Sequence, residues 1–501
     1  MNQKSSIKKN YIFNVSYNVL TLIVPLIVTP YISRVLCASG VGQYSYSFSI
    51  VTYFTLLGSW GFNYYGQRLI AENQNDKHKQ SIIFWEIFLA RLITVSTVLV
   101  IYFILVLTNC FGATYSLILQ LLSIQIASIA FDAAFFYQGN EEFKLLTIRS
   151  FIVKILGVAC IFIFVKKEND VWIYTLCQSL TLFVSALTLW PFVFKRIERI
   201  SLRELHIKKH FVPTLRLFIP TIASTAYTMA DKTLIGFLVP GTTEINGVEK
   251  SIADLENGYY EQSEKIAKLC LTLITSLSAV MLPRNSQLIS EKRNDEFIDN
   301  IHKALRFVLF LGIPMMFGIA AISYSFCPWF LGPGYDKSPL LLIMFSPLIL
   351  IIGLSNLIGV QYLLPMKQDT KYIIAFVVGA AINVTLDVVL IIYFTSVGAC
   401  IATVASELIL LIMMLFFSRK DISLIMLMKD SWKYFLSGSI MFAGVFTLSF
   451  FLQPKPLFTI TLIVVGVFIY LFLLFLLRDS MLFSLCARIK KITSTIFRKR
   501  R

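Results

Sequence analysis

The chain has 501 residues, of which 57% are hydrophobic and only 15% are charged. Soluble domains carry about 25% charged residues, so this composition excludes an ordinary soluble enzyme and predicts an integral membrane protein. The net charge of +17 would fit a nucleic-acid partner, but the basic residues follow the membrane topology described below, and no nucleic acid is expected. The eight cysteines are scattered without a CxxC pair, which predicts neither a disulfide framework nor a metal site.

Apolar stretches of membrane-spanning length recur along the whole chain. A spanning helix needs about 20 apolar residues, and about fourteen segments qualify. The predicted spans are residues 11–35, 44–66, 81–108, 115–138, 150–165, 171–194, 212–239, 264–283, 304–326, 339–364, 372–395, 400–418, 434–452 and 458–477. The first span has no small-residue cleavage site after it, so we expect it to be retained. The expected fold class is all-α and integral to the membrane.

Lysine and arginine are distributed very unevenly between alternate loops. The N-terminus and the loops on its side of the membrane contain 32 of them, whereas the opposite loops contain five. Basic loops stay in the cytoplasm, so both termini are expected there. A miscounted span would destroy this alternation, which therefore also favours an even number of spans.

The second half of the sequence repeats features of the first. PLIVTPYISR from Pro25 is followed by GQYSYS from Gly42, and PTIASTAYTMADK from Pro220 is followed by GYYEQS from Gly258. The copies are six spans apart, which predicts two similar six-helix lobes, residues 1–200 and 201–420, with a cavity between them. Residues 421–501 would add a C-terminal helix pair and a basic tail, either an interfacial helix or a solvated segment.

Two of the predicted spans carry polar stripes at helical spacing. One stripe is Thr221, Thr225, Thr228 and Lys232, and the other is Asn14, Asn18 and Thr21. Residues three and four apart share a helix face, so the stripes are expected to line a polar cavity. Interhelical packing by small polar residues is the alternative, but packing does not require a lysine.

Further basic residues lie inside predicted spans, where a charge costs about 2.5–3.5 kcal/mol on insertion scales. Arg91 is ten residues into its span, and Glu86 is expected to neutralise part of its charge. Lys154 could line the cavity, reach the interface or pair with Asp132, and Arg34 could simply extend to the interface. Together with Lys232, these residues are the candidate cations for an anionic substrate.

Three acidic residues within spans, Asp132, Asp387 and Glu407, are candidates for coupling to a proton or sodium ion. Structural pairing with a neighbouring helix is the alternative for each. The sequence contains no nucleotide-binding loop and no nucleophile–base–acid set. We therefore expect a protein that is not an enzyme and that needs no cofactor or metal.

Several segments taken together resemble the Wzx-type polysaccharide repeat-unit flippases of the multidrug/oligosaccharidyl-lipid/polysaccharide exporter superfamily. They are NYIFN from Asn10, PLIVTPYISRVL from Pro25, GQYSYS from Gly42, YGQR from Tyr65, FYQGNEEFK from Phe136, DKTLIG from Asp231, GYYEQSEKI from Gly258, VMLPR from Val280 and QYLLP from Gln361. One departure is CASGVG from Cys37, where such proteins usually have Gly-Pro-Glu-Gly. We expect that departure to affect only the first outer turn.

The resemblance implies fourteen helices in the bacterial inner membrane. It implies that an oligosaccharide on a polyprenyl pyrophosphate is flipped to the outer leaflet by alternating access, with a polysaccharide polymerase and chain-length machinery as further partners. A multidrug exporter of the same superfamily is the main alternative, and it would need an acidic cavity. A membrane glycosyltransferase or polymerase is a weaker alternative, since the sequence offers no large outer domain.

Overall fold

The structure is a computed structural model and describes residues 2–245, 247–422 and 424–484. Side chains are described from Val24 onward. They are omitted at residues 202, 216–217, 219–221, 223–224, 226, 277, 279–280 and 424–430. Predicted site residues Asn14, Asn18, Thr21 and Thr221 have side chains outside this description, and most of the basic tail lies beyond it.

Helices account for nearly all of the described chain. In the first half they are α1 (Asn2–Ser59), α2 (Phe62–Glu72), α3 (Lys77–Leu107), α4 (Ser116–Phe131), α5 (Ala134–Gly139), α6 (Phe143–Phe164), α7 (Val171–Leu187), α8 (Trp190–Val193) and α9 (Phe211–Leu238). The second half has α10 (Ile252–Ser290), α11 (Asn294–Leu331), α12 (Ser338–Phe345), α13 (Pro347–Asn356), a π-helical segment (Leu357–Leu363), α14 (Asp369–Ser418), α15 (Leu424–Phe451) and α16 (Pro456–Leu476). The expected all-α membrane fold is confirmed.

Two of these helices each contain two predicted spans. Backbone breaks interrupt α1 at Cys37 (φ 55°) and α14 at Thr395 (φ 53°), where the sequence predicts turns. A positive φ at a residue with a Cβ costs about 1–3 kcal/mol and persists only where the surroundings enforce it. Eleven stretches of the described residues are long and apolar enough to cross a membrane. Two of these stretches, Val24–Glu72 and Asp369–Ser418, each contain two predicted spans, so the eleven stretches correspond to thirteen predicted spans. Helix α9 corresponds to the remaining one of the expected fourteen.

A short β-hairpin is the one element of the described chain that the all-α prediction missed. Strands β1 (Thr242–Ile245) and β2 (Val248–Ser251) pair antiparallel, with Ile245 opposite Val248. The two residues between them are Asn-Gly in the sequence, the strongest short-range hairpin signal. Part of the predicted loop 240–263 therefore forms these two strands, and its last part begins α10.

The chain divides into two compact units, Met1–Gly258 and Tyr259–Arg501, here called unit 1 and unit 2. Helix α9, predicted to begin the second lobe, belongs to unit 1 because it packs against α1 and α2. The two six-helix lobes stay a prediction. Large apolar side chains are exposed in both units, such as Ile163 (61%) and Phe468 (69%), as expected of helix faces that contact lipid.

Each unit has its own apolar core. In unit 1, Phe84 stacks on Phe135 and meets Phe136 edge-on, at the point where α4 ends and α5 begins. In unit 2, α11 packs against α12, α13, α15 and α16. The predicted extra helix pair, α15 and α16, is therefore part of the core of unit 2.

Candidate functional site

Arg91 is buried in unit 1, with 1% of its surface exposed. Its Nη1 donates to the carbonyl oxygens of Ile129, at 3.2 Å, and of Asp132, and its Nη2 donates to Asn63 Oδ1 at 2.7 Å. The guanidinium also lies 5.1 Å from the ring centre of Phe135. These carbonyls lie at the end of α4, where helical hydrogen bonds run out. Arg91 therefore stabilises the break between α4 and α5.

Glu86 does not face Arg91, so the expected neutralisation is wrong. Its carboxylate accepts hydrogen bonds from the backbone N–H of His206 (2.7 Å), from Lys209 Nζ (2.9 Å) and from His210 Nε2 (2.8 Å). His210 Nδ1 lies 3.2 Å from the hydroxyl of Tyr65. A buried carboxylate needs such partners, and here they fasten the basic linker before α9 onto α3.

Asp132 lies between α4 and α5 and lines a cavity in unit 1. Its Oδ1 accepts a hydrogen bond from the backbone N–H of Ala134, the first residue of α5, at 3.0 Å. The cavity has a volume of about 490 Å³ and is also lined by Asn63, Arg149 and Ser185. Arg149 lies directly before the predicted span 150–165, so the sequence did not place it among the candidate cations.

Lys154 lies half-buried on α6. Among the ion pairs formed by described side chains, none joins Lys154 to Asp132, so that alternative is wrong. Arg34 is exposed on α1, three residues before the break at Cys37. The structure brings neither residue into contact with Arg91.

Lys232 is buried where α1, α9 and α10 meet, with 7% of its surface exposed. Asn257 Nδ2 of α10 donates to the Lys232 carbonyl at 3.1 Å, and the next residue, Thr233, lies 2.8 Å from Ser49 of α1, hydroxyl to hydroxyl. The neighbouring Asp231 is also buried. This junction is the most enclosed location among the four candidate cations after that of Arg91.

One hydroxyl of the polar stripe that precedes Lys232 in α9 already forms a hydrogen bond within the helix. Thr225 and Thr228 are half-buried, and Thr228 Oγ1 donates to the Thr225 carbonyl at 3.1 Å. A hydroxyl bonded to the preceding turn can still accept a hydrogen bond from a ligand. The cavity-lining role of the stripe stays a prediction.

In unit 2, the acidic residues Asp387 and Glu407 lie on the two halves of α14, both buried. The halves fold back on each other, since a Cβ on Gly379 would lie 3.2 Å from the Leu410 side chain. Asn383, one turn before Asp387, is fully buried as well. The two acids thus belong to one helical hairpin, and their role in ion coupling stays a prediction.

The two repeat-related glycines meet at a single helix crossing within unit 1. A Cβ on Gly42 would lie 1.7 Å from the Asp254 carbonyl oxygen, and one on Gly258 would lie 2.0 Å from that of Ala38. Each glycine therefore touches the residue four positions before the other. Only glycine allows backbones to approach this closely, so both positions require it.

An apolar cavity of about 440 Å³ lies in unit 2 between α10, α11, α15 and α16. Its walls include Pro314, Met441 and Leu462, and the hydroxyl of the lining Tyr470 donates to the Phe310 carbonyl at 3.0 Å. With that hydroxyl engaged, the cavity offers apolar surface to a ligand.

A basic cavity of about 700 Å³ adjoins the same helices at the start of α11. It is lined by Arg284, Lys303 and Arg306, with Ser480 and Ser484 following α16. Lining residue Phe307 is one turn before Phe310, which lines the apolar cavity. Unit 2 thus has a cationic and an apolar cavity in succession along one helix.

Comparisons with known proteins find one matching family model and relatives that are named as transporters. A family model described as polysaccharide biosynthesis protein matches residues 7–289. A relative from Escherichia coli (strain K12), named "Putative O-antigen transporter", is 23% identical over 421 residues, which cover 83% of this chain and 98% of the relative. A second, of the same name from Shigella dysenteriae, is 22% identical over 413 residues, with 81% and 99% covered.

Two solved structures share the fold. The lipid II flippase MurJ, in an inward closed conformation, superposes with a TM-score of 0.73 at 18% identity, covering 94% of this chain and 99% of its own. An inward-facing multidrug resistance transporter of the MATE family gives 0.57 at 12% identity, covering 84% and 98%. At these identities the likeness establishes the fold alone.

Proposed function

The chain belongs to the polysaccharide biosynthesis protein family, as its match over residues 7–289 shows, and we propose that it is a flippase for lipid-linked oligosaccharides. In this proposal, oligosaccharide repeat units on a polyprenyl pyrophosphate move from the inner to the outer leaflet of the bacterial inner membrane. The product would enter a capsule, O-antigen or exopolysaccharide, where a polymerase and chain-length machinery would take it over. The similar proteins are named as transporters and flippases, and the chain is not an enzyme.

The succession of cavities along α11 is the observation that carries this proposal. A polyprenyl pyrophosphate joins a dianionic head to a long hydrocarbon chain. Arg284 and Arg306, together with Lys303 once it exchanges its exposed ion pair with Asp299, offer the charge-assisted hydrogen bonds that phosphate oxygens prefer. The adjoining apolar cavity can take part of the chain, because each buried CH₂ contributes about 0.8 kcal/mol.

Within unit 1, Lys232 is the proposed pyrophosphate ligand during passage. It is enclosed by α1, α9 and α10, where the lower dielectric strengthens its attraction for an anion. Lys154 and Arg34 are proposed as weaker contributors. Arg91 would have to release three acceptors to bind the substrate, so we give it a secondary place.

Transport is proposed to proceed by alternating access driven by the membrane potential. With both termini in the cytoplasm, as the basic loops predict, an anion moves outward down a potential worth about 2.3 kcal/mol per charge per 100 mV. Two charges then give roughly 4–5 kcal/mol. Ion coupling through Asp132, Asp387 or Glu407 is the alternative source of energy, although the Asp132 carboxylate already accepts a hydrogen bond from the backbone N–H of Ala134.

Deletion of the gene in its host tests the proposal. Lipid-linked repeat units should accumulate on the cytoplasmic leaflet, and the wild-type gene should clear them. The double variant Lys303→Gln/Arg306→Gln should clear them poorly, whereas Lys292→Gln, on an exposed turn outside the basic cavity, should behave as wild type. Normal polymer and no accumulation after deletion would refute the function.

A multidrug exporter remains the alternative, since the MATE fold is shared and unit 1 contains buried acids such as Asp231 and Asp254. Binding of cationic dyes, together with unchanged lipid binding by Lys232→Ala, would favour it.

A further inference from the structure

A cavity of about 920 Å³ lies in unit 1 among loops that the charge distribution assigns to the outer side of the membrane. Its walls come from the residues just after the break in α1, the starts of α4, α7 and α10, and the hairpin β1–β2. We call it the outer pocket. It shares no lining residue with the polar, apolar and basic cavities described above.

Hydrogen bonds and an ion pair fix the walls of the outer pocket to one another. Lys250 of β2 forms an ion pair with Glu168 before α7, and Ser39 Oγ donates to the same carboxylate at 3.3 Å. On the opposite side, the Tyr115 hydroxyl donates to Asp254 Oδ1 at 2.7 Å. A pocket held in this way loses little entropy on binding a ligand.

The lining combines an aromatic face with polar side chains. Trp172 is 44% exposed and lies in the same lining as the amides Gln43 and Asn169 and the hydroxyl of Thr242. Gln43 is hydrogen-bonded to Asp254 and the Thr242 hydroxyl donates to Glu249, which leaves the rest of their hydrogen-bonding capacity to a ligand. Aromatic rings offer large apolar faces, on which the C–H faces of a pyranose pack. Amides and hydroxyls both donate and accept, which matches the hydroxyl groups around a sugar ring.

The charges of the lining argue against an anionic ligand. Lys250 and Glu168 neutralise each other, which leaves the carboxylates Glu249 and Asp254 against the single ammonium group of Lys167. The lining therefore offers a diphosphate no cluster of cations, whereas an uncharged, hydroxyl-rich group needs none. Building on the proposed function, we infer that the outer pocket binds the sugar portion of the lipid-linked substrate on the outer side, away from its pyrophosphate.

Photo-crosslinking in the living host tests this inference. Trp172→p-benzoylphenylalanine and, independently, Thr242→p-benzoylphenylalanine are expressed in the deletion strain and irradiated. Each should yield a protein band shifted to higher mass that becomes labelled by a hydrazide probe after periodate oxidation, because periodate converts sugar diols into aldehydes. Trp432, 49% exposed on α15 of unit 2, receives the same substitution as the matched control and should give no shifted, hydrazide-labelled band.

The substitutions Trp172→Ala and Trp172→Phe add a functional measurement. Alanine removes the aromatic face and should reduce polymer export, whereas phenylalanine retains it and should preserve most export. If both photo-crosslinking variants support export but give only phospholipid adducts or none with sugar, Trp172 is an interfacial anchor and the inference is wrong. Failure of the flippase proposal is recognised separately, because gene deletion would then leave the lipid-linked pool unchanged.

Discussion

The two units place their charged residues in different environments. In unit 1, the buried charges of Arg91 and Glu86 are satisfied by backbone and side-chain groups of the protein itself. In unit 2, Arg284, Lys303 and Arg306 line a cavity near the start of α11, where Lys303 is 65% exposed and pairs with Asp299, and an apolar cavity lies further along the same helix. Burial of a charge therefore does not by itself indicate a ligand site, since the fully enclosed Arg91 stabilises a helix break.

Among the substitutions that test this comparison, replacement of Arg91 should cause the largest loss of stability. Arg91→Met leaves the carbonyls of Ile129 and Asp132 without their donor inside the protein, and we expect a loss of about 1–3 kcal/mol of stability for each carbonyl. Thermal unfolding of the detergent-purified protein measures it, with Arg68→Met as the control because that side chain is 75% exposed. An unchanged melting temperature with lost flipping would make Arg91 a substrate ligand instead.

Substitutions where α1 and α10 cross, at Gly42 and Gly258, should cause the next largest loss of stability. Gly42→Ala or Gly258→Ala forces a Cβ within 2.0 Å of a carbonyl oxygen, which the backbones relieve only by separating, at about 1–3 kcal/mol. Gly444→Ala is the control, because its Cβ would meet Ile469 at 3.4 Å, an ordinary contact. Equal melting temperatures for all three variants would show that α1 and α10 do not cross closely in the membrane.

A smaller and more selective effect is expected at Lys232. Lys232→Met should lower the flipping rate about tenfold, equivalent to about 1.4 kcal/mol, while Lys232→Arg retains the charge and most of the rate. Flipping of lipid-linked repeat units in proteoliposomes measures both. If the methionine variant flips at the wild-type rate, unit 1 provides no cation at this junction.

The smallest expected effect is on the pH dependence of stability, through the linker that Glu86 fastens onto α3. Burial lowers the pKa of His210, although Glu86 opposes the shift. The unfolded chain therefore binds a proton near pH 6.5 that the folded protein takes up only at lower pH, so stability falls as pH decreases through this window. The melting temperature should fall less between pH 7.5 and 5.5 in His210→Gln than in wild type. Equal falls would contradict this assignment.

The positions of the spans follow from the sequence because length and apolarity alone decide which segments cross a bilayer. The breaks at Cys37 and Thr395 also fall where turns were expected. The repeat identified Gly42 and Gly258 as equivalent, yet it could not reveal that they meet, since that depends on how two helices cross. The hairpin was missed although its Asn-Gly signal was present.

The environments of the charged residues were harder to predict. Arg91 was expected to be partly neutralised by Glu86, because its actual acceptors include backbone carbonyls that become available only where α4 ends at Phe131. Glu86 is close to Arg91 in the sequence, but its hydrogen-bond partners lie in residues 206–210, more than a hundred positions further along the chain. The basic cavity was invisible because its members are scattered between Arg284 and Ser484.

Reconstituted flipping tests the central claim most directly. Lipid-linked repeat units extracted from the deletion strain are placed in proteoliposomes under an imposed potential, and their sugars on the far leaflet are detected with membrane-impermeant periodate. Wild-type protein should expose these sugars faster than empty liposomes do, and Lys303→Gln/Arg306→Gln should slow the process. Exposure no faster than in empty liposomes, while the same protein moves a cationic dye, would contradict the account.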